Sequence, residues 1–147
     1  MLEEMKAMVK EKDMCVLATV SGGMPHCSLM TYVCDDECRE IYMVTQKDSQ
    51  KYRNLLENQS VSLLIDSRED HTGSSRRNAK AMTVSGTFKT IENESDKEKA
   101  GNRLLETHPH LEVFFDDPDT EVFCVSISSF LLLDGLKDAY FEKVQDD

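Results

Sequence analysis

The residues best suited to chemistry lie between Thr45 and Leu55 (TQKDSQKYRNL). A predicted strand ends here and a helix follows at once, with Asp48 or Ser49 as its cap. The first turn of a helix carries free backbone N–H groups and partial positive charge, so this junction is suited to binding a phosphate. Ser49 adds a hydroxyl donor and Lys51 adds a cation. The same pattern also fits an ordinary capped helix with solvated lysines.

The bulk composition restricts the partners of such a site. The formal net charge is −11 and the pI is near 4.8, which argues against nucleic acid and anionic membrane surfaces as partners. Lys47 and Arg53 are nevertheless expected to strengthen a local positive potential around the junction. The 147 residues suit a single domain, 1–147. No signal peptide or membrane-spanning run is recognised, and five scattered cysteines fit a reducing compartment, so a cytoplasmic location is expected.

The elements that must position this junction are mostly strands. The first three are predicted to form an antiparallel meander, Gly86 marks a bulge, and Asp134-Gly135 marks a turn between or within the last strands. Ser95 to Glu98 fits a capping box. Six or seven antiparallel strands with few helices favour a mainly β fold that closes into a small barrel. The predicted strands are 14–20, 25–34, 40–45, 60–66, 80–92, 121–130 and 131–144, and the predicted helices are 2–12, about 49–58 and 95–107.

The order of these segments resembles the pyridoxamine 5′-phosphate oxidase-like, FMN-binding split-barrel family. The shared pattern includes Ser49-x-Lys51 and Val84-x-Gly86, and it covers most of the chain. The other segments that carry the resemblance are Leu17-Ala18-Thr19-Val20, Gly23-Met24-Pro25, Ser28, Met30, Tyr32, Ile41 to Thr45, Asn54-Leu55, Asn58 and Val61 to Leu64. The resemblance implies a homodimeric split barrel with FMN in the cleft between two subunits.

The resemblance also assigns roles to particular residues. Ser49 and Lys51 match the phosphate ligands, and the strand end at Val44 and Thr45 matches a flavin contact. Position 50, often basic in the family, is Gln50 here. The remaining cofactor-binding positions fall into two groups. The strand along the flavin ring comprises Cys27, Ser28, Leu29 and Met30, and the pair that approaches from the partner subunit is Lys80 and Ala81.

No residue is identified as a catalytic acid or base. His26 lies beside the presumed flavin strand, although a surface histidine near a proline turn is the simpler interpretation. His108 and His110 are expected to be exposed at a helix end. Cys34-x-x-x-Cys38 lacks the spacing of common zinc sites and is interpreted as incidental, so no metal is expected.

Two functions in different classes remain open at this point. One is an FMN-dependent oxidoreductase acting on an unidentified small molecule. The other is a non-enzymatic flavin-binding or electron-carrying protein, and an empty site on a scaffold dimer is a third reading. Oxidation of pyridoxamine phosphate itself is not expected, because the chain ends at Phe141 to Asp147 without the arginine-containing segment of those oxidases. Dimerisation would also cover the apolar strands SVSLLID and FLLL.

Overall fold

The computed structural model describes residues 1–144. Within that range no helix has the length and apolar character needed to cross a bilayer. The helices are α1 (Leu2–Glu11), α2 (Gln50–Glu57), α3 (Glu94–Thr107) and α4 (Glu112–Phe115), with short 3₁₀ helices at Arg68–Asp70, Gly73–Asn78 and Pro109–Leu111. The strands are β1 (Met14–Ser21), β2 (Met24–Thr31), β3 (Val33–Cys34), β4 (Glu40–Gln46), β5 (Ser60–Asp66), β6 (Lys80–Thr90), β7 (Thr120–Asp134) and β8 (Asp138–Lys143).

All strands belong to one antiparallel sheet with the order β2-β1-β5-β6-β7-β4-β3, and β8 pairs with β7. The two ends of this path, β2 and β3, are separated in the chain by Tyr32 alone. The sheet must therefore curl until its margins approach each other. The expected mainly β, antiparallel split barrel is confirmed, although the predicted strand 25–34 is divided into β2 and β3, which gives eight strands instead of the six or seven expected.

Strand β7 connects the sheet by pairing with β4, β6 and β8. Its first half pairs with β4 from Thr120 to Ser126, and its second half pairs with β8 from Ser129 to Asp134. Both partners use the same edge, because β6 occupies the other edge. The predicted bulge is present between Ser85 and Gly86. A Cβ at Gly86 would lie 2.5 Å from the Ser126 carbonyl oxygen, so the close approach of β7 requires glycine here.

Helix α1 closes one mouth of the barrel. It buries Met5, Met8 and Val9 in the main core, as its helical spacing predicts. The Tyr32 hydroxyl donates to the Val9 carbonyl oxygen at 2.7 Å, which joins α1 to the residue between the two sheet margins. A second apolar cluster lies outside the barrel, where α3 and the segment after it pack on β4 and β7.

Several sequence predictions about the elements were wrong. The second and third predicted strands do not pair as a meander, because β4 pairs with β7 and only β3 links it back. Helix α3 is capped by Asn93, whose side chain accepts from the Asp96 N–H, so the predicted box at Ser95 lies inside the helix. Strand β7 also continues past Phe130 to Asp134, so the predicted boundary after residue 130 is absent. Residues 145–147 of the predicted single domain lie outside the described part.

Candidate functional site

The junction between β4 and α2 is built around Ser49. Ser49 is the N-cap of α2 in extended conformation, and its Oγ accepts from the Tyr52 N–H at 3.3 Å. The same Oγ donates to the Gln46 carbonyl oxygen at 2.7 Å and lies 3.5 Å from Thr45 Oγ1. Thr45, predicted to contact a cofactor, is buried at the strand end. The structure therefore brings Thr45 and Ser49 together, and Ser49 already serves as a helix cap.

The two residues before the cap are held from the other side of the sheet. The Lys47 N–H donates to the Asp119 carbonyl oxygen at 2.8 Å, and the Asp48 N–H donates to Asp119 Oδ2 at 3.1 Å. Within residues 1–144, these bonds leave the N–H groups of Gln50 and Lys51 as first-turn donors without an acceptor. The positive end of α2 thus presents two unpaired backbone donors.

The cations at this junction differ in how they are paired. Lys47 Nζ lies 3.7 Å from Glu121, and Lys97 Nζ lies 2.8 Å from the same carboxylate. Arg53 Nη1 lies 3.0 Å from Asp48 Oδ1. The Glu121 carboxylate, through its hydrogen bond, raises the pKa of Lys97. Lys47 and Arg53, which were expected to strengthen the local positive potential, therefore each lie beside a carboxylate that offsets part of their charge.

Lys51 is the exception among these cations. Its side chain is half-buried in the first turn of α2, and the described residues give it no carboxylate partner. An unpaired ammonium group beside free N–H donors is an arrangement that favours a bound anion. This geometry is what the role predicted for Lys51 requires, although the role itself stays a prediction.

Helix α2 is fixed to the barrel by a buried polar contact that the sequence analysis did not identify. Asn54 Nδ2 donates to Thr19 Oγ1 of β1 at 3.1 Å, and both residues are almost fully buried. Gln50 Nε2 donates to Asn54 Oδ1 at 2.7 Å. Gln50 thus supports Asn54. The only sequence signal for this link was the four-residue spacing of two amides on one helix.

Strand β2 is an edge strand whose backbone on one side is unpaired within the described part of the chain. Cys27 and Leu29 face outward and are exposed, whereas Ser28 is half-buried and Met30 is buried. The register places the predicted cofactor strand beside β1, which also holds α2 through Thr19. The β2 edge and helix α2 therefore have β1 as a common neighbour.

The predicted pair Lys80 and Ala81 lies far from this junction in the same chain. Thr45 pairs with Glu121 near the start of β7, and Lys80 pairs with Asp134 at its end. Thirteen residues of strand from 121 to 134 correspond to about 40 Å of contour. One subunit therefore does not place Lys80 and Ala81 next to Ser49 and Lys51.

Two histidine predictions have different outcomes. His26 is exposed on β2 and pairs across the ladder with Thr19. His108 was predicted to be exposed, which is wrong. It is buried, and its Nε2 lies 2.9 Å from the Tyr32 carbonyl oxygen, whereas His110 is exposed. His108 lies between α3 and the 3₁₀ helix at Pro109–Leu111, and its local sequence gave no sign that it is buried.

Similar folds occur in solved structures with different reported ligands. A heme-binding protein from Mycobacterium smegmatis superposes with a TM-score of 0.80 at 17% identity, covering 94% of this chain and 56% of that one. A pyridoxamine 5′-phosphate oxidase-like protein from Listeria innocua superposes at 0.69 and 22% identity, covering 89% and 96%. A FAD-binding protein from Mesorhizobium loti superposes at 0.71 and 16% identity, covering 90% and 91%.

At these identities the structural similarity establishes the fold only. The chain spans about half the length of the mycobacterial protein. No curated protein is a detectable sequence relative. The sequence model described as "Pyridoxamine 5′-phosphate oxidase", in contrast, matches residues 1–134. Sequence pattern, split-barrel fold and family match agree, and the chain belongs to the pyridoxamine 5′-phosphate oxidase family.

Proposed function

We propose that this protein binds FMN at the junction of β4 and α2 and uses it in a redox reaction with a small molecule. The observation that carries the proposal is Lys51, which has no carboxylate partner within residues 1–144 and lies in the same helical turn as two free N–H donors. A phosphate monoester bears up to two negative charges and several acceptor oxygens, so it complements this donor set. A bound flavin supplies hydride or single-electron transfer, and the chain supplies orientation and local charge.

The ring system has a matching surface in the proposal. The unpaired backbone edge of β2, from Cys27 to Met30, offers N–H and C=O groups to the polar edge of an isoalloxazine ring. Val44 and Thr45 lie at the end of β4, directly before the phosphate corner. These features support flavin over an apolar ligand, because an edge strand and a helix terminus both recognise polar groups.

We further propose that the working unit is a homodimer in which Lys80 and Ala81 reach the site of the partner. The outer face of the sheet carries one row of aligned residues crossing β2, β1, β5, β6, β7 and β8. In ladder order the row is Leu29, Val16, Leu64, Thr83, Leu131 and Phe141. Its three leucines and Phe141 are exposed, an arrangement typical of an interface between copies.

Ala81 supports this arrangement. Along β6, Met82 and Val84 are buried, so Ala81 and Thr83 lie on the outer face with the apolar row. If the outer faces of two subunits packed against each other, Ala81 of one subunit would lie close to the other subunit. A flat cofactor is enclosed when protein contacts both of its faces. One barrel contacts one face, and a second subunit would contact the other.

The test is titration of the purified protein with FMN and with riboflavin, followed by visible absorbance and flavin fluorescence. We expect FMN to bind more tightly than riboflavin, because riboflavin lacks the phosphate. Lys51→Ala should weaken FMN binding roughly 10- to 100-fold, the loss of one charge-assisted contact of about 1.5–3 kcal/mol. It should leave riboflavin binding almost unchanged.

Lys47→Ala is the matched control, because its charge is already close to Glu121. Equal FMN affinity in wild type and Lys51→Ala would contradict the phosphate assignment. A parallel titration with hemin tests the alternative ligand class seen in a structural neighbour. Tight hemin binding without FMN binding would contradict the flavin proposal as a whole.

Reduction of the bound flavin by NADH or NADPH, followed by turnover with an acceptor, separates an enzyme from a carrier. We expect multiple turnovers for an oxidoreductase. A flavin that is reduced once and does not turn over with any acceptor supports the non-enzymatic alternative.

A further inference from the structure

Two thiols lie together at the β3–β4 turn, on the side of the barrel closed by α1. Cys34 ends β3, and Cys38 follows it in the turn. Both side chains are buried in the same core cluster, and each shifts the pKa of the other. The Cys38 thiol donates to the Lys6 carbonyl oxygen of α1 at 3.9 Å. From the sequence alone this pair was interpreted as incidental.

The turn that carries the two cysteines is held by backbone and side-chain hydrogen bonds. The Cys38 N–H donates to the Asp35 carbonyl oxygen at 3.1 Å, and the Asp35 side chain accepts from the N–H groups of Arg39 and Glu40 at 2.7 and 3.0 Å. Cys38 has a φ of +56°, in the left-handed region that is uncommon for a residue with a side chain. The backbone therefore adopts an unfavourable conformation at one of the two cysteines.

The pair has a route to small molecules on one side. Cys34 lines a cavity of about 440 Å³ between α1, β3 and α3, together with Lys10 and Arg103. Cys34 is 9% exposed, whereas Cys38 is fully buried. A reagent in the cavity would therefore contact Cys34 first, because Cys38 is fully buried.

The charges around Cys34 favour its thiolate. The interaction with Cys38 is the main cause that lowers the pKa of Cys34, to about 7. Lys10 and Arg103 lower it further, while burial and Asp35 act in the opposite direction. The interaction with Cys34 and burial raise the pKa of Cys38, so its proton is retained. By contrast, burial raises the pKa of Cys15 to about 12.

We propose that Cys34 and Cys38 form a redox-active dithiol in which a hydroperoxide oxidises Cys34 and Cys38 then closes a disulfide. The Cys34 sulfur attacks the terminal oxygen of ROOH, the O–O bond breaks, and ROH leaves with a proton. The Cys38 sulfur then attacks the Cys34 sulfenic acid, the S–O bond breaks, and water leaves with the Cys38 proton. Two thiols and one hydroperoxide give one disulfide, ROH and water.

This site is separate from the proposed cofactor site. None of its residues belongs to the β4–α2 corner or to the β2 edge, so it stands if FMN binding fails. Cys27, by contrast, is an exposed free cysteine on β2.

The test is treatment of the reduced full-length protein with equimolar hydrogen peroxide. We expect the intact mass to fall by about 2 Da, the two hydrogens of one disulfide. Asp-N or Glu-C digestion cuts between the two cysteines at Asp35 to Glu37, so the oxidised protein should yield a two-chain peptide containing Cys34 and Cys38. Wild-type thiols that all remain titratable after oxidation, or a linkage through Cys27, would overturn the proposal.

Variants separate the roles of the two thiols. Cys38→Ala should accumulate a Cys34 sulfenic acid that dimedone traps, and Cys34→Ser should form neither product. Cys124→Ser is the matched control, because burial raises the pKa of Cys124 to about 12 and its loss should leave disulfide formation intact. If a variant fails to fold by circular dichroism, the wild-type peptide map decides.

A second readout is the pH dependence of Cys34 alkylation. The midpoint should lie near pH 7 in wild type and about one unit or more higher in Cys38→Ala, where the Cys38 thiol is missing. An unchanged midpoint in a folded Cys38→Ala would contradict the partnership of the two thiols.

Discussion

The contact between Asn54 and Thr19 offers a test of how α2 is held in place. We consider Asn54→Leu, which keeps the branched shape of the side chain but removes the amide. Asn54 is 2% exposed and Thr19 is 3% exposed, so water cannot replace the lost bond. The variant leaves Thr19 Oγ1 without its donor at 3.1 Å.

The expected cost follows from this burial. A net hydrogen bond contributes about 1 kcal/mol, and a buried polar atom left without a partner costs about 1–3 kcal/mol. We therefore expect the free energy of unfolding to fall by about 2 kcal/mol. With a urea m-value of about 2 kcal/mol/M, the midpoint should drop by about 1 M. Gln50 adds little, because it is exposed and water can satisfy its amide.

The assay is urea unfolding of a double-mutant cycle. Thr19→Val should lower the free energy of unfolding by about as much as Asn54→Leu, since it leaves the Asn54 amide without its acceptor. The double variant replaces both partners by apolar groups, so its cost should be smaller than the sum by about 1 kcal/mol or more. Additive costs, or single variants within about 0.5 kcal/mol of wild type, would refute the contact as an anchor of α2.

Two further outcomes are expected. Leu131→Glu should convert the proposed dimer to monomer in sedimentation, because it puts a charge in the exposed apolar row; an unchanged mass would contradict that interface. Burial raises the pKa of Tyr32 in the folded state, whereas the unfolded chain ionises near pH 10. The contribution of Tyr32 to the free energy of unfolding should therefore be fully present below about pH 10 and decrease above it, so this free energy should fall less steeply with pH in Tyr32→Phe. That variant should also lose about 1 kcal/mol at neutral pH, because the Val9 carbonyl oxygen loses its donor; equal alkaline slopes in urea unfolding would contradict the assignment.

The parts of the fold that depend on local signals were predictable. Ser49 is a hydroxyl residue three positions before a helical N–H that needs an acceptor, and the structure uses it in that way. Gly86 breaks the strand pattern where no side chain fits, and the bulge is there. In both cases the physical cause lies within a few residues of the signal.

The pairing of strands could not be predicted in the same way. Strands β3 and β4 form a local hairpin, yet β4 takes its long partner from β7, about 80 residues later. Nothing in the sequence of β4 distinguishes that partner from β2. Register with a distant strand is decided by burial of both, which a single strand's pattern does not contain.

The candidate site shows the same division. Lys51 and Ser49 were identified because a helix terminus has a local chemistry. The pairing of Lys47 with Glu121 was missed, since Glu121 comes next to the corner only through the β4–β7 ladder. The burial of His108 was missed for the same reason, because its partner Tyr32 lies 76 positions earlier in the chain.

Strands β4 and β8 share one edge of β7, and this late pairing affects folding during synthesis on the ribosome. Until residues 120–134 emerge, β4 and β6 each lack a main neighbour and expose rows of unsatisfied amides. The segment through residue 134 must be translated before these margins are protected. The nascent domain is therefore most vulnerable to aggregation immediately before β7 becomes available.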